Sequence, residues 1–327
     1  MKPLVLILFG PTASGKTEVL NSLFSGGART AEVISADSMQ VYRGMDIGTA
    51  KPSPYERARI PHHLIDIRNP DEQFNAGEFV RLAEAAAVEV AARGALPIVS
   101  GGTGFYLKNL VLGLGEAPPA DPGIRAELAQ ELAQRGAASL MEELAAADPA
   151  SARRIHINDE YRLLRALEVC RLTGRPLSSF ASPWSAAAEQ AACGSERPFR
   201  FALAALRWNR DELYRRINAR TAAMFAAGLP AEVRRLHESG YTPADPGLKA
   251  IGYREFFVQD GESGGWRLSE DFHGVQELVA QNSRRYAKRQ ITFFASIPAV
   301  TWIDCEGDNP AATAAARVQQ LVEEALS

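Results

Sequence analysis

Six consecutive apolar residues, Leu4–Phe9, run straight into Gly10-Pro11-Thr12, and shorter apolar or β-branched runs recur at Glu32–Ala36 and Leu96–Ser100. Short runs of this kind, closed by turn residues, predict buried strands. Between them Lys16–Phe24 and Glu78–Arg93 have helical texture, and Gly94 stops the second. Alternating β and α predicts the α/β class: a parallel sheet with helices on its faces and functional groups at the carboxyl ends of its strands.

From about Glu116 the pattern changes. Ala117-Pro118-Pro119-Ala120-Asp121-Pro122 predicts a stiff linker, followed by stretches rich in Ala, Leu, Glu and Arg. One helix is expected over Ile124–Gln134, stopped at Gly136. Another is expected over Glu160–Thr173, with Asn158 or Asp159 as N-cap, Gly174 as stop and Pro176 beyond. Leu163, Leu167 and Cys170 on this helix are expected in a core. Ser182–Ser195, which includes Trp184, reads as a mobile connection, and Phe199–Leu206 as a returning strand. Leu213, Ile217, Thr221 and Met224 mark one face of a helix ending at Gly228; Pro230 opens the next, Gly240 closes it, and Gln276–Ala295 is a long helix. The expected organisation is a core of residues 1–115 and 199–327, including C-terminal helices, interrupted by a mostly helical insertion domain over 116–198.

The 327 residues suit two domains, and 46% hydrophobic with 23% charged residues excludes a disordered or fibrous chain. Lys and Arg number 36 against 39 Asp and Glu, a net charge of −3. That excludes a uniformly basic protein but leaves room for a local basic groove. Cys170, Cys193 and Cys305 lie far apart and form no C-x-x-C pair, which argues against a disulfide framework or zinc site and for a cytoplasmic setting. Leu4–Phe9 is shorter than the ~7–15 residues of a signal core, and no run approaches the ~18–20 of a membrane span. The chain is therefore expected to begin with its first strand and to have no membrane association.

Gly10-Pro11-Thr12-Ala13-Ser14-Gly15-Lys16-Thr17 satisfies G-x-x-x-x-G-K-[ST] at every fixed position, in the strand-to-helix context the pattern requires. Small residues let backbone N–H groups turn around an anion, and the helix N-terminus adds partial positive charge. Lys16 brings a point charge, and the Thr17 hydroxyl is a Mg2+ ligand. A phosphate or diphosphate site is expected on a P-loop NTPase-like parallel sheet core. An ordinary P-loop NTPase also holds Mg2+ with an Asp ending a second strand. Here Leu96–Ser100 ends in Gly101-Gly102-Thr103-Gly104 instead. The acid ends another strand, in Ile34-Ser35-Ala36-Asp37-Ser38, where it can accept a proton or bind metal through water; capping of a following helix is the alternative.

The loop together with Ser35–Pro52 resembles the tRNA dimethylallyltransferases, which transfer an isopentenyl group to N6 of an adenine beside the anticodon. Further matches are Pro61–Asp66, Gly101–Leu107, Ile155–Glu168, Ala250–Glu255 and Tyr286–Gln290, in order between Pro3 and about Phe294. The resemblance implies that Gly10 to Thr17 hold the diphosphate of dimethylallyl diphosphate, with Mg2+ and Arg220 assisting. It implies that Asp37 takes the amine proton, that Thr103 stands near the reacting amine and leaving oxygen, and that Lys16 stabilises the leaving group. It places tRNA contacts on Asp37, Ser38, Met39, Gln40, Thr103 and Arg125, on Asp159, Glu160, Tyr161, Arg162 and Leu163, and on Lys249, Ala250, Ile251, Gly252, Tyr253 and Arg254. The adenine would have to leave the anticodon-loop stack to reach Asp37. No Cys/His cluster follows Gln290, so the likeness is to the bacterial form, expected as a monomer.

Charge patterning adds support. Arginines 153, 154, 162, 165, 171 and 175 face Asp159, Glu160 and Glu168, a local +3, and Arg284, Arg285, Lys288 and Arg289 crowd one helix. Such clusters suit a groove that tracks phosphates. An adenylate isopentenyltransferase acting on free nucleotide shares the loop and the acid but needs no basic insertion. A P-loop small-molecule kinase also fits the loop and Asp37. The resemblance fades after Gln290, where the family's Thr-Trp-x-Arg ending gives way to Phe293 and Ala295, so no contact is assigned there.

Overall fold

The structure is a computed structural model and describes residues 2–24, 30–180, 198–261 and 264–327. The connection expected over Ser182–Ser195, with Trp184 and Cys193 in it, lies outside the described residues. Alternation along β1 (Leu4–Phe9) sends Val5, Ile7 and Phe9 into one core and Leu4, Leu6 and Leu8 into another, all buried. A strand apolar on both sides needs cover on both.

The chain continues through α1 (Lys16–Phe24), β2 (Ala31–Ser35), α2 (Pro54–Arg59), β3 (His62–His63), α3 (Ala76–Ala92), β4 (Leu96–Gly101) and α4 (Gly104–Leu112). Then come α5 (Pro122–Ala147), α6 (Pro149–Ala152), α7 (Glu160–Thr173), β5 (Arg200–Arg207), α8 (Arg210–Ala226) and α9 (Leu229–Glu238). The hairpin strands β6 (Phe257–Gln259) and β7 (Trp266–Leu268) precede α10 (Phe272–Phe294), β8 (Thr301–Asp304) and α11 (Pro310–Leu326). Six strands form one parallel sheet in the order β3-β2-β4-β1-β5-β8. Phe79, Val80 and Ala83 of α3 cover one face with Leu107 and Phe294; Val19 and Leu20 of α1 cover the other with Ala314 and Val318 of α11.

Two compact units are resolved by their contacts: Met1–Val111 with Glu196–Ser327, and Leu112–Ser195. The first holds the whole sheet. In the second, Leu128, Leu140 and Leu144 of α5 bury against Leu163, Ala166 and Leu167 of α7. Gly136, at φ 75° and ψ 164°, breaks α5 where a stop was expected, but a further helical stretch resumes at once. Of the two candidate caps for α7, Asp159 accepts from the Arg162 amide. The expected strands agree with β1, β2, β4 and β5 to within a residue at each end, whereas α10 starts a turn earlier than expected, at the Asp271 N-cap.

Candidate active site

β2, β4 and β1 are neighbours in the sheet, so their carboxyl ends bring three segments together: Ala36-Asp37, Gly101-Gly102-Thr103 and the loop from Gly10 to Lys16. Gly101 is essential to this approach, because a Cβ there would lie 2.2 Å from the Ala36 carbonyl oxygen.

Two left-handed residues, Ala13 (φ 63°) and Gly15 (φ 84°), shape the phosphate loop. Its carbonyls are drawn away by donors from the segment after β5: Trp208 Nε1 donates to Ser14 O (2.9 Å) and Arg216 Nε to Ala13 O (2.8 Å). The amides of Gly15, Lys16 and Thr17 have no protein acceptor among the described residues, as expected at a helix N-terminus. This is a main-chain anion cradle. Lys16 Nζ donates to Gly10 O (3.0 Å) and Pro11 O (3.1 Å), a resting place beside the cradle. Gln290 braces the loop from α10: its Oε1 accepts from Thr12 N (2.9 Å) and its Nε2 donates to Gly102 O (2.7 Å).

Asp37 is half-buried at the end of β2. Its Oδ1 accepts from the amides of Met39 (2.9 Å) and Gln40 (3.4 Å), which closes a turn rather than capping a helix. Two cavities meet beside it. One, of about 420 Å3, is lined by Thr12 to Thr17; the other, of about 300 Å3, by Ser38, Met39, Gly48 and residues 249–252. They share Thr12, Asp37, Thr49, Arg220 and Tyr286 as common wall.

Burial, and next the Arg220 charge, pull the Lys16 ammonium down to about 8, while Asp37 pulls it up. Burial lowers Arg220 as well, opposed by Asp37. Burial and then Asp37 push the Tyr286 hydroxyl up to about 12, so it stays protonated. A cradle whose cation titrates near 8 binds anions best below that value. The diphosphate dissociation constant is therefore expected to stay flat up to about pH 8 and then to rise by up to about tenfold per pH unit, because free Lys16 loses the proton that bound anion retains. Calorimetry across this range checks it. A profile with no break near 8 would remove Lys16 as the titrating group.

Other site residues expected from sequence are placed as follows. Gly10 and Pro11 are buried, line neither cavity and accept from Lys16 through their carbonyls. Thr103 lines neither cavity; its Oγ1 accepts from Ser38 N (2.9 Å), so it bears on the site through Ser38. Lys249, Ala250, Ile251, Gly252 and Arg254 line the 300 Å3 cavity, but Tyr253 is 0% exposed and packs in a core. Its expected tRNA contact is corrected: the hydroxyl is given to Glu232 instead. Leu163, also 0% exposed, is core and not an RNA contact.

In the second unit Tyr161 and Arg162 are open to solvent, and the Arg125 guanidinium lies 5.7 Å from the Tyr161 ring centre. The local +3 is smaller than it looked. Arg165 and Arg125 both bind Glu168, which is 0% exposed, and Arg171 binds Glu131 and Glu143. Arg153, Arg154, Arg162 and Arg175 remain exposed, with Arg162 paired to Asp159 and Arg175 stacked over the Phe180 ring. Roles for Gln290 and Glu232 were not foreseen from sequence; Gln290 stood within a matched motif, while Glu232 carried no signal.

Residues 40–296 match the family described as IPP transferase. The chain belongs to that family. A relative named tRNA dimethylallyltransferase, from Geobacter sulfurreducens, is 46% identical over 303 residues, 93% of this chain and 92% of its own. Among solved structures, the tRNA delta(2)-isopentenylpyrophosphate transferase of Staphylococcus epidermidis is 35% identical with a TM-score of 0.67, covering 99% of this chain and 100% of that one. The tRNA isopentenylpyrophosphate transferase of Bacillus halodurans is 36% identical with a TM-score of 0.65, covering 99% and 98%. The family match starts at Gln40, after the phosphate loop, but the two solved structures, at 99% coverage of this chain, take in both loop and sheet.

Proposed function

We propose that this IPP transferase family member moves a dimethylallyl group from dimethylallyl diphosphate to N6 of the adenine 3′ to the anticodon in tRNA. The carrying observation is the wall common to two cavities: one is an amide cradle, and Asp37 faces both. The allylic carbon–oxygen bond breaks as the carbon–nitrogen bond forms. Diphosphate leaves into the cradle against Lys16, Arg220 and the loop amides, and the amine proton passes to Asp37. Adenine N6 is a weak nucleophile because its lone pair is delocalised, so a carboxylate placed at the junction does work that a simple phosphate site does not need.

Thr17, exposed in the first turn of α1, and the diphosphate oxygens form a hard-oxygen donor set that suits Mg2+, which needs few protein ligands beside substrate phosphates. Bound there, Mg2+ would neutralise charge on the leaving group. Among the described residues no helix is long and apolar enough to cross a membrane, and Cys170 and Cys305 are unpaired. The tRNA substrate puts the proposed enzyme in the cytoplasm, and it is proposed to act as a monomer.

The anticodon arm is assigned to the exposed cations of the second unit and, separately, to Lys249, Ala250, Ile251, Gly252 and Arg254 of the first. Replacing Arg153, Arg154 and Arg162 together by Gln is expected to weaken stem-loop binding and to lower the slope of log affinity against log salt by about two. An unchanged slope would move the RNA path elsewhere. The reaction is tested by offering labelled dimethylallyl diphosphate with either an anticodon stem-loop or adenosine monophosphate. Label in the RNA alone is expected. Label in the free nucleotide alone would favour the adenylate isopentenyltransferase, and phosphate transfer from ATP without prenyl transfer would favour a kinase.

A further inference from the structure

Glu232 lies in the first turn of α9 and is 3% exposed, yet no Lys, Arg or His stands within ion-pair distance of it among the described residues. Its oxygens accept instead from three consecutive amides, those of Asp46 (3.0 Å), Ile47 (2.9 Å) and Gly48 (3.2 Å), and from the Tyr253 hydroxyl (2.7 Å). The N-terminal end of α9 adds its dipole. A buried carboxylate is costly unless its lone pairs are matched this fully. Burial, and then the Glu232 charge, hold the Tyr253 phenol well above its ordinary value, so it remains a donor.

The two segments joined by this carboxylate are walls of the 300 Å3 cavity. Gly48 and Thr49 come from one; Ala250, Ile251 and Gly252 come from the other. They touch where the Tyr253 ring lies on Gly48, so closely that a Cβ on Gly48 would come within 2.4 Å of Cε2. Gln40 continues the chain of contacts to the strand that carries Asp37: its Nε2 donates to Thr49 O (3.3 Å), and its Oε1 accepts from Ser35 Oγ (2.9 Å).

We infer that Glu232 is a positioning residue for the acceptor base, fixing the main-chain wall against which adenine is presented to Asp37. The inference rests on the proposed reaction. It separates two functions within one unit: Gln290 braces the diphosphate cradle, and Glu232 braces the acceptor side. Glu232 touches no reacting atom; it acts through Gly48, Thr49 and the segment held by Tyr253.

The test uses the full chain with Glu232→Gln and Tyr253→Phe. Gln keeps the shape but turns an NH2 group toward backbone amides; Phe deletes only the hydroxyl. For Glu232→Gln the KM for an anticodon stem-loop is expected to rise about tenfold, and for Tyr253→Phe about threefold, with the KM for dimethylallyl diphosphate within about twofold of the parent in both. Glu232→Asp, which restores the charge on a shorter stem, is expected to recover part of the loss. Unchanged RNA KM in both variants overturns the inference. So does a parallel loss of RNA and diphosphate affinity, which marks general destabilisation. Should Glu232→Gln not fold, Tyr253→Phe decides by the same criterion. A parent chain that transfers nothing overturns the proposed reaction and this inference with it; an active parent with unaffected variants overturns the inference alone.

Discussion

Asp37→Asn is expected to slow transfer by about 10²–10⁴-fold while leaving stem-loop binding within about threefold of the parent, in the range found for removing a general base. Asn keeps a side-chain oxygen for the Met39 and Gln40 amides, so the turn that positions residue 37 survives. What is lost is the capacity to accept a proton at the wall between the cavities. Removing the carboxylate also removes the charge that supports Lys16 and Arg220, so Lys16 would titrate lower than its present value of about 8. The comparison therefore belongs near about pH 6, well below the Lys16 value of about 8, where Lys16 keeps its proton in parent and variant alike. Single-turnover kinetics with saturating dimethylallyl diphosphate measures it. A rate within about threefold of the parent would remove Asp37 as the base.

Lys16→Ala is expected to raise the dissociation constant for diphosphate by about 10–150-fold, the equivalent of about 1.5–3 kcal/mol for hydrogen bonds to a charged group. The rate should fall further than the affinity, because negative charge grows on the departing diphosphate in the transition state. The loop itself should hold its shape. Trp208 and Arg216 anchor its carbonyls and Gln290 anchors the Thr12 amide, none of them through Lys16. Calorimetry with inorganic diphosphate separates the binding part from the rate. Unchanged affinity would contradict the assignment of the cradle.

The sequence made the sheet and the phosphate loop legible for a physical reason. Buried parallel strands must be apolar on both sides, and a backbone anion cradle needs small residues at fixed spacing. Asp37 was legible because it ends a strand beside that loop. What stayed hidden depends on contacts distant in sequence. Glu168 looked like one more solvated acid on α7, and only its approach to Arg125 and Arg165 shows that it neutralises cations assigned to RNA. Tyr253 sat in a motif that resemblance placed on tRNA, but a lone aromatic in a loop has no periodicity to reveal which way it faces. Glu232 follows Leu229-Pro230-Ala231, where an acid is ordinary at a helix start, and its buried partners come from residues 46–48 and 253. The α4 segment Gly104–Leu112 and the last strand and helix, β8 and α11, were not anticipated. The first is a short, mostly apolar segment broken by Lys108 and Asn109 and without a clear period, and the others lie beyond the matched motifs.

Locating the transferred group tests the central claim most directly. An anticodon stem-loop incubated with the protein, Mg2+ and dimethylallyl diphosphate should gain one isopentenyl unit, and fragmentation by mass spectrometry should place it on the adenine 3′ to the anticodon. The gain should vanish on the same timescale with Asp37→Asn. An unmodified RNA from the parent protein, or equal modification by the Asp37→Asn variant, would contradict the assignment of the two cavities and of the acid between them.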